Sequence, residues 1–249
     1  MNMDTAHIQT DRLLQQVERE IISTYRIGWQ AALDELNIAN LYREVESETR
    51  KAVKTEIDVI VGFLIVHAII AAEKSIAKVQ RMSDRVYKLN YSGMAKSLNI
   101  PQSTDDGAEE TKYQKRAFDR LTNELEKVFQ PEIYKFVRQG LSPDELEQRI
   151  KTLFMRNGNS LVRISRTEAT RLENRARLDA MLEAQKRGEK IKKQWRAIID
   201  RVTRDSHKLI NLEIQPLESL FSNGLLFPGD ANGPPEQIVN CRCWIVSVR

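Results

Sequence analysis

The sequence has little cysteine, proline, glycine and aromatic content, and these shortages narrow the class of protein. Only two cysteines, Cys241 and Cys243, occur among 249 residues, which excludes any disulfide framework beyond one strained local bridge. A reducing compartment fits this usage best. Aromatic residues make up 6%, and glycine and proline are sparse before residue 100. Ala, Leu, Glu, Lys, Arg and Gln dominate instead, and this composition favours long helices.

Long apolar runs are also missing. The most apolar stretch covers residues 59–72 and contains His67. It is about 14 residues long, short of the roughly 20 that a membrane-spanning helix needs. We therefore predict a buried core helix and no stable membrane span, with a partner-facing or membrane-active helix as the alternative. The polar segment 1–11 predicts no signal peptide.

The net charge of +4 is unevenly distributed. Residues 156–249 hold 17 Lys and Arg against 11 Asp and Glu, a balance of +6, whereas residues 1–155 have a balance of −2. A mildly basic C-terminal part is compatible with nucleic acid or an acidic protein surface as a neighbour. Because basic bias alone is weak evidence, a solvated surface of mixed charge is the favoured interpretation.

Periodicity and turn signals predict a mainly α protein with a C-terminal α+β domain. Apolar residues recur at helical spacing over residues 8–37 and again over 41–98. The predicted organisation has four parts: a long-helix partner-binding region over 1–98, a linker over 99–112, a connecting helix over 113–139 and a compact domain over 140–249.

The compact domain begins with a well-specified helix start. Ser142 is placed as an N-cap, Pro143 at the first helical position and Glu145 where a capping box requires it. We predict that this helix ends at the Asn157–Gly158–Asn159 turn and that a second helix covers 160–187. Strands are predicted over Lys192–Ile199 and Cys241–Val248, with a turn-rich region between them.

Two polar groups in the compact domain contain residue types that occur in catalytic or metal-binding sites. Glu168, which follows Arg166 and Thr167 on the second helix, is interpreted as an anchor for the strands, with a catalytic carboxylate as the alternative. Asp200 and His207 follow the first strand. They are interpreted as a turn cap and a backbone partner, with an acid/base pair or metal ligands as the alternative.

The third polar group opens the last strand. Cys241 and Cys243 are two residues apart and would point to the same face. Buried cysteines that behave as small apolar residues are favoured, with a zinc site completed by His207 and Asp230 as the alternative. No phosphate-binding loop, nucleophile elbow or zinc-protease motif occurs. We therefore predict no catalytic residues, no cofactor and no metal.

The order of these signals resembles the phage head morphogenesis family, the Mu F-like minor head proteins, over residues 140–249. The sequence departs from the family pattern after Asp200, where Thr203–Arg204 is kept without the usual Arg-Thr pair, and after His207, where Ile210 and Asn211 stand in place of a glycine. The residues that carry the resemblance are Arg166, Thr167, Glu168, Trp195, Asp200, Thr203, Arg204, His207, Pro228, Asp230, Asn240, Cys241, Arg242 and Cys243.

The resemblance implies a structural, non-enzymatic minor head protein of a tailed bacteriophage. Its expected partners are the portal protein, the scaffold, the major capsid protein and packaged DNA. Its expected location is the capsid interior, with the host cytoplasm during assembly, and its expected role is head assembly with DNA packaging or ejection. Trp195, Phe227 and Trp244 are expected in the core. A buried polar network is expected to contain Glu168, Asp200, Arg204, His207, Asn240 and Arg242.

Two other classes of function stay open. One is an enzyme of transferase or metal-dependent hydrolase type that uses Glu168, Asp200 and His207. The other is a DNA-binding module, which the basic C-terminal balance would suit.

Overall fold

A computed structural model gives the fold. It describes residues 5–35, 50–100 and 142–249, together with isolated positions from 127 to 139; the side chains of 33–35 and 50–63 lie outside that description. The predicted linker over 99–112 and connecting helix over 113–139 therefore lie almost entirely outside the described residues.

Three long helices make up most of the described chain. Helix α1 covers Thr5–Glu35, α2 covers Arg50–Ser97 and α3 covers Pro143–Lys186. Their lengths of 31, 48 and 44 residues confirm the long helices predicted from the shortage of helix-breaking residues. Within the described part of the chain, no helix combines the length and apolar character needed to cross a membrane.

The apolar run over 59–72 lies in α2 and is only partly buried where its side chains are described. Leu64, Ala68 and Ala72 are buried, whereas Val66 is 52% exposed and Ile70 is 41% exposed. The apolar run therefore contributes to a core on one face and leaves apolar side chains accessible on another.

The N-terminus of α3 forms as predicted. The Ser142 backbone N–H donates to Glu145 Oε2 at 2.9 Å, and the Glu145 N–H is directed back at the Ser142 hydroxyl at 3.4 Å. This reciprocal capping box satisfies backbone donors that the first helical turn leaves without partners.

The predicted break at Asn157–Gly158–Asn159 is wrong, because α3 continues through all three residues. Gly158 allows α3 to pack closely against Tyr25 and does not form a turn. A Cβ at this position would lie 2.9 Å from Cγ of Tyr25, and the Tyr25 hydroxyl donates to the Asn157 side chain. The Tyr25 ring also packs edge-on against Phe154, with 5.5 Å between ring centroids.

The last 60 residues add a small antiparallel sheet. Strand β1 covers Lys192–Arg196, β2 covers Ile214–Gln215 and β3 covers Trp244–Val248, in the order β2-β1-β3. Lys193 pairs with Gln215 on one side and with Ser247 on the other. Two short helices, α4 at Asp205–Leu209 and α5 at Pro235–Ile238, lie in the connections.

Both predicted strands are shorter than expected. After Arg196, the Ala197 N–H donates to the Asn211 side chain at 2.9 Å and leaves the ladder. At the other strand, Asn240 has a φ of +57°, a left-handed conformation that asparagine tolerates better than most residues. The segment Cys241–Cys243 is not part of β3, because the Cys241 and Cys243 carbonyls accept hydrogen bonds from α3 side chains instead of from a neighbouring strand.

The core of this C-terminal part is formed by aromatic and aliphatic residues from the sheet, its loops and the end of α3. Trp195 is fully buried, and its ring meets Phe221 edge-on at 5.1 Å. Trp244 is 1% exposed and Phe227 is 5% exposed. The prediction that these three residues, Trp195, Phe227 and Trp244, contribute to the core is confirmed.

Contacts divide the chain into two compact units. The first, here called the sheet unit, comprises the described residues of Met1–Val17, Val79–Lys112 and Arg163–Arg249; the second, the helical unit, comprises those of Glu18–Lys78 and Tyr113–Val162. The sheet unit therefore includes residues from the predicted 1–98 region as well as most of the predicted compact domain.

Candidate metal centre and polar core of the sheet unit

A row of buried polar side chains on α3 holds the segment that leads into β3. Thr170 donates to the Cys241 carbonyl, and the Asn174 amide donates to the Cys243 carbonyl at 3.1 Å. The Asn174 side-chain oxygen accepts the Ile245 N–H at 2.8 Å. These bonds replace ladder bonds for backbone groups that would otherwise be buried without partners, which is costly.

About one helical turn after Asn174, Arg177 connects α3 to α2 and β3 by hydrogen bonds. Its guanidinium donates to the Glu173 carboxylate at 3.0 Å, to the Asn90 side chain at 3.1 Å and to the Ile245 carbonyl at 3.2 Å. Glu173 in turn accepts from His7 at 2.8 Å. All of these side chains are buried. The sequence analysis did not single out His7, Asn90, Glu173, Asn174 or Arg177.

The predicted residue Glu168 lies beside this row in a buried ion pair with Arg171. Burial lowers the pKa of Arg171 to about 10. The Phe227–Asp230 turn packs against α3 at Arg171, since a Cβ on Gly229 would lie 3.0 Å from Cα of Arg171. Gly229 has a φ of +81°, so both its conformation and its close approach to α3 require glycine.

Pro228 is buried in that turn, and Asp230 organises its far side. The Asp230 carboxylate accepts the Leu226 N–H at 3.1 Å and the Asn232 N–H at 3.0 Å. Asp230 thus caps its own loop.

Asp200 organises a second turn, directly after β1. Its Oδ1 accepts the Val202 and Thr203 N–H groups at 3.0 and 2.9 Å, and its Oδ2 accepts from Arg242 at 2.6 Å. Arg242 and Thr203 together lower the pKa of Asp200 to about 2. The Asp200 and Arg242 side chains are 35% and 44% exposed, so this pair lies at the surface of the unit.

Two further residues that carry the resemblance bind backbone groups. Arg204 donates to the Val239 carbonyl, and the Thr167 hydroxyl accepts the Asn240 N–H at 3.2 Å. Arg166 is exposed on α3. The six residues expected in one buried network are therefore distributed: Glu168 and His207 are buried, whereas Asp200, Arg204, Asn240 and Arg242 are partly or fully exposed.

His207, Cys241 and Cys243 form the one cluster of potential metal ligands found among the described residues. Helix α4 places His207 Nδ1 at 3.6 Å from Cys241 Sγ and 3.5 Å from Cys243 Sγ. All the candidate ligand atoms lie within 4.8 Å of one another, and the three residues are at most 2% exposed. Asp230, the fourth residue of the predicted alternative zinc site, is not part of the cluster.

The two thiols share their protons unequally. The hydrogen bond from Cys243 is the main reason that the pKa of Cys241 is lowered, and His207 acts in the same direction. Donating that bond, together with burial, raises the pKa of Cys243. The pair is therefore arranged so that one sulfur carries negative charge more easily than an isolated thiol does.

The residues of the enzyme alternative are each engaged with different partners. Glu168 pairs with Arg171, Asp200 with Arg242, and His207 with the two cysteines and Gln237. The structure brings His207 together with the cysteines, which the sequence analysis had considered, and does not bring Glu168 and Asp200 to the same cluster.

A small antiparallel sheet braced by a long helix, with buried polar side chains that bind backbone groups, makes up an α+β domain. Residues 127–246 match the family described as Phage Mu protein F like protein. This match indicates a role in phage head morphogenesis. No curated protein and no solved structure shows significant similarity to the chain.

Proposed function

We propose that the protein is a structural minor head protein of a tailed bacteriophage that binds the portal inside the procapsid. The observation that carries this proposal is the use of the polar residues in the family-matched region. Thr170, Asn174 and Arg177 bind the backbone of Cys241, Cys243 and Ile245. Side chains used in this way stabilise the fold of the domain and are not available to act on a substrate.

A portal-binding surface is supported by apolar residues on the helical unit. Ile27 is 68% exposed, and it lines a groove with Gly28, Ala71 and Ile70, which is 41% exposed. Apolar residues at helical spacing are the usual contacts of one helical protein with another. We propose that the portal protein occupies this groove.

The test is co-purification with the portal protein of the same phage after co-expression. Deleting residues 1–139 would be a poor test, since it would remove His7 and Asn90 from the sheet unit. The double variant Ile27→Asp with Ile70→Asp leaves those contacts in place and should lose the portal. Leu209→Asp is the matched control, because Leu209 is 85% exposed in the sheet unit, and it should keep the portal.

Failure of the unchanged protein to co-purify with the portal would overturn portal binding. Retention of the portal by the double variant, with its circular dichroism spectrum unchanged, would move the binding surface away from the groove.

The location and timing follow from the same role. We propose assembly in the host cytoplasm alongside the scaffold and the major capsid protein, followed by retention in the capsid interior near packaged DNA. The balance of +6 over residues 156–249 suits proximity to DNA and a part in its packaging or ejection. Quantitative mass spectrometry of procapsids, filled heads and emptied heads tests this: absence from filled heads would contradict retention, and equal amounts in filled and emptied heads would contradict ejection with the DNA.

A further inference from the structure

We propose that His207, Cys241 and Cys243 bind a zinc ion that joins α4 to the segment leading into β3. The proposal is independent of portal binding. It rests on the geometry of three buried side chains, on the partner of the far nitrogen of His207 and on the space next to the two sulfurs.

The distances fit one metal ion between the three atoms. Zn–N bonds of about 2.0–2.1 Å and Zn–S bonds of about 2.3 Å at tetrahedral angles place nitrogen and sulfur about 3.5 Å apart. Nδ1 of His207 lies 3.5 and 3.6 Å from the two sulfurs. A single S–H···N hydrogen bond would require only one sulfur at this distance, whereas a shared metal requires both.

The far side of the imidazole fixes which nitrogen is free to bind. Nε2 of His207 lies 2.9 Å from Oε1 of Gln237, and that oxygen also accepts from the Ser206 hydroxyl. Because the oxygen is an acceptor, Nε2 carries the ring proton and donates it. Nδ1 is then left with its lone pair directed at the sulfurs. A hydrogen bond of this kind orients metal-binding histidines in general.

The sequence explains how the two sulfurs come to the same side. Cys241 and Cys243 are separated by one residue in extended backbone, so their side chains point in the same direction while Arg242 points outward to Asp200. The left-handed conformation of Asn240 and the bonds from Thr170 and Asn174 to the two cysteine carbonyls hold that backbone in place before any metal binds.

Charge and space favour zinc over a hard cation. Two thiolates and one imidazole are ligands that zinc prefers and that Mg²⁺ and Ca²⁺ do not. A cavity of about 10 Å³ beside the sulfurs is lined in part by Thr203 and Arg204, which is close to the volume that one water molecule needs. We assign the fourth coordination position to a water in this cavity.

The direct test measures metal in the full-length protein. The chain is purified under reducing conditions without chelator, and its zinc is quantified per chain; after removal of the metal, Co²⁺ is titrated in the absence of oxygen. We expect one zinc per chain, the intense visible bands of tetrahedral Co²⁺ together with a thiolate-to-cobalt charge-transfer band, and displacement of cobalt by zinc. Both thiols should resist alkylation until zinc is removed.

Variants separate ligand from fold. Cys243→Ser and His207→Gln should abolish the stoichiometric zinc, whereas His67→Gln, a histidine substitution in the helical unit, should keep it. Gln237→Leu changes a partly exposed residue whose side chain bonds to His207 Nε2 and Ser206, and it should weaken zinc affinity by about 10–100-fold, as loss of an orienting partner does.

The wild-type result decides the matter even if a ligand variant fails to fold. Protein that takes up no zinc when reconstituted under reductant, an octahedral cobalt spectrum without thiolate bands, or copper or iron bound in place of zinc would overturn the proposal. So would full zinc content in folded Cys243→Ser.

Discussion

The imidazole of His7 stacks on the indole of Trp244, with 4.2 Å between ring centroids and 19° between ring planes. His7 belongs to the first turn of α1 and Trp244 opens the last strand, so the first and last described elements share one packed group. His7 also donates to Glu173, which pairs with Arg177. Residues far outside the family match at 127–246 therefore complete the core of the sheet unit.

The Glu173–Arg177 pair predicts a large and position-specific loss of stability. Arg177 is 2% exposed, and removing one partner of a buried ion pair leaves the other charge without compensation. Arg177→Met should therefore lower the free energy of unfolding by about 3–5 kcal/mol, measured by urea denaturation followed by circular dichroism.

Arg175→Met provides the matched control on the same helix. Arg175 pairs with Asp179 at 2.9 Å, but its side chain is 45% exposed, so its loss should cost only about 0.3–0.5 kcal/mol. An Arg177→Met variant no less stable than Arg175→Met would show that the buried network does not stabilise the fold.

Two helical glycines should respond to alanine with opposite signs. A Cβ on Gly158 would lie 2.9 Å from Cγ of Tyr25, and overpacking of this kind costs about 1–3 kcal/mol. A Cβ on Gly28 would meet Ala71 and Phe154 at ordinary distances of 3.4 and 3.5 Å. Since alanine favours a helix over glycine by about 1 kcal/mol, Gly28→Ala should stabilise and Gly158→Ala should destabilise. Thermal melts of the two variants test the difference, and a shift of the same sign in both would contradict it.

The contrast between these glycines and Ser142 shows how far the sequence could go. The capping box of Ser142 and Glu145 was predictable because both partners lie within four residues. The sequence around Gly158 predicts a turn, and this prediction is wrong. The glycine is needed because Tyr25 packs against it, and Tyr25 is distant in sequence, so only the fold brings the two residues together. Helix class, both main strands and the aromatic core residues needed only local pattern and could be predicted.

The polar core and the metal cluster needed partners from elsewhere in the chain. Thr170, Asn174 and Arg177 lie at helical spacing on one face of α3, but polar residues on a helix are usually solvated, and nothing local identifies this face as buried. Similarly, two cysteines separated by one residue suggest at most half of a zinc site, and the sequence alone offers both His207 and Asp230 to complete it. Only the fold distinguishes them, because it places His207 on α4 beside the two sulfurs and leaves Asp230 outside the cluster.

Lys193 predicts that stability rises with pH in the alkaline range. It is fully buried in β1, donates to the Leu217 carbonyl at 2.7 Å and lies over the Phe221 ring. Burial lowers its pKa from 10.5 to about 8, although the charge of Asp230 acts in the opposite direction. Between these two values the unfolded chain holds the proton and the folded chain does not, so raising the pH favours the folded state.

Lys193→Met removes this titration while keeping a similar length. The stability of wild type relative to Lys193→Met should therefore increase as pH rises from about 8 to 10.5 and level off above that range. Methionine does not titrate, so the difference in slope between the two proteins reports the amine of Lys193. Parallel stability curves for the two proteins across this range would contradict the lowered pKa.

Asp200 predicts that stability also rises with pH in the acidic range. Its pKa is lowered from 3.8 to about 2 by Arg242 and Thr203, so the ionised carboxylate stabilises the fold above the unfolded-state value and that contribution is lost as pH falls to about 2. The advantage of wild type over Asp200→Asn should be constant at neutral pH, shrink below 3.8 and be reduced by salt, because the pair is partly exposed. An advantage independent of both pH and salt would assign the role of Asp200 to its turn hydrogen bonds alone.

The stacking of His7 on Trp244 predicts that the family-matched region does not reach its native packing alone. A fragment covering residues 127–249 lacks His7 and Asn90, which leaves Trp244 uncovered and removes partners from Glu173 and Arg177. We expect it to retain helical far-ultraviolet circular dichroism while losing near-ultraviolet signal and becoming sensitive to protease. Deleting residues 1–17 from the full chain should produce part of the same loss. A fragment with native near-ultraviolet signal and cooperative unfolding would show instead that α1 and α2 are dispensable for the sheet unit.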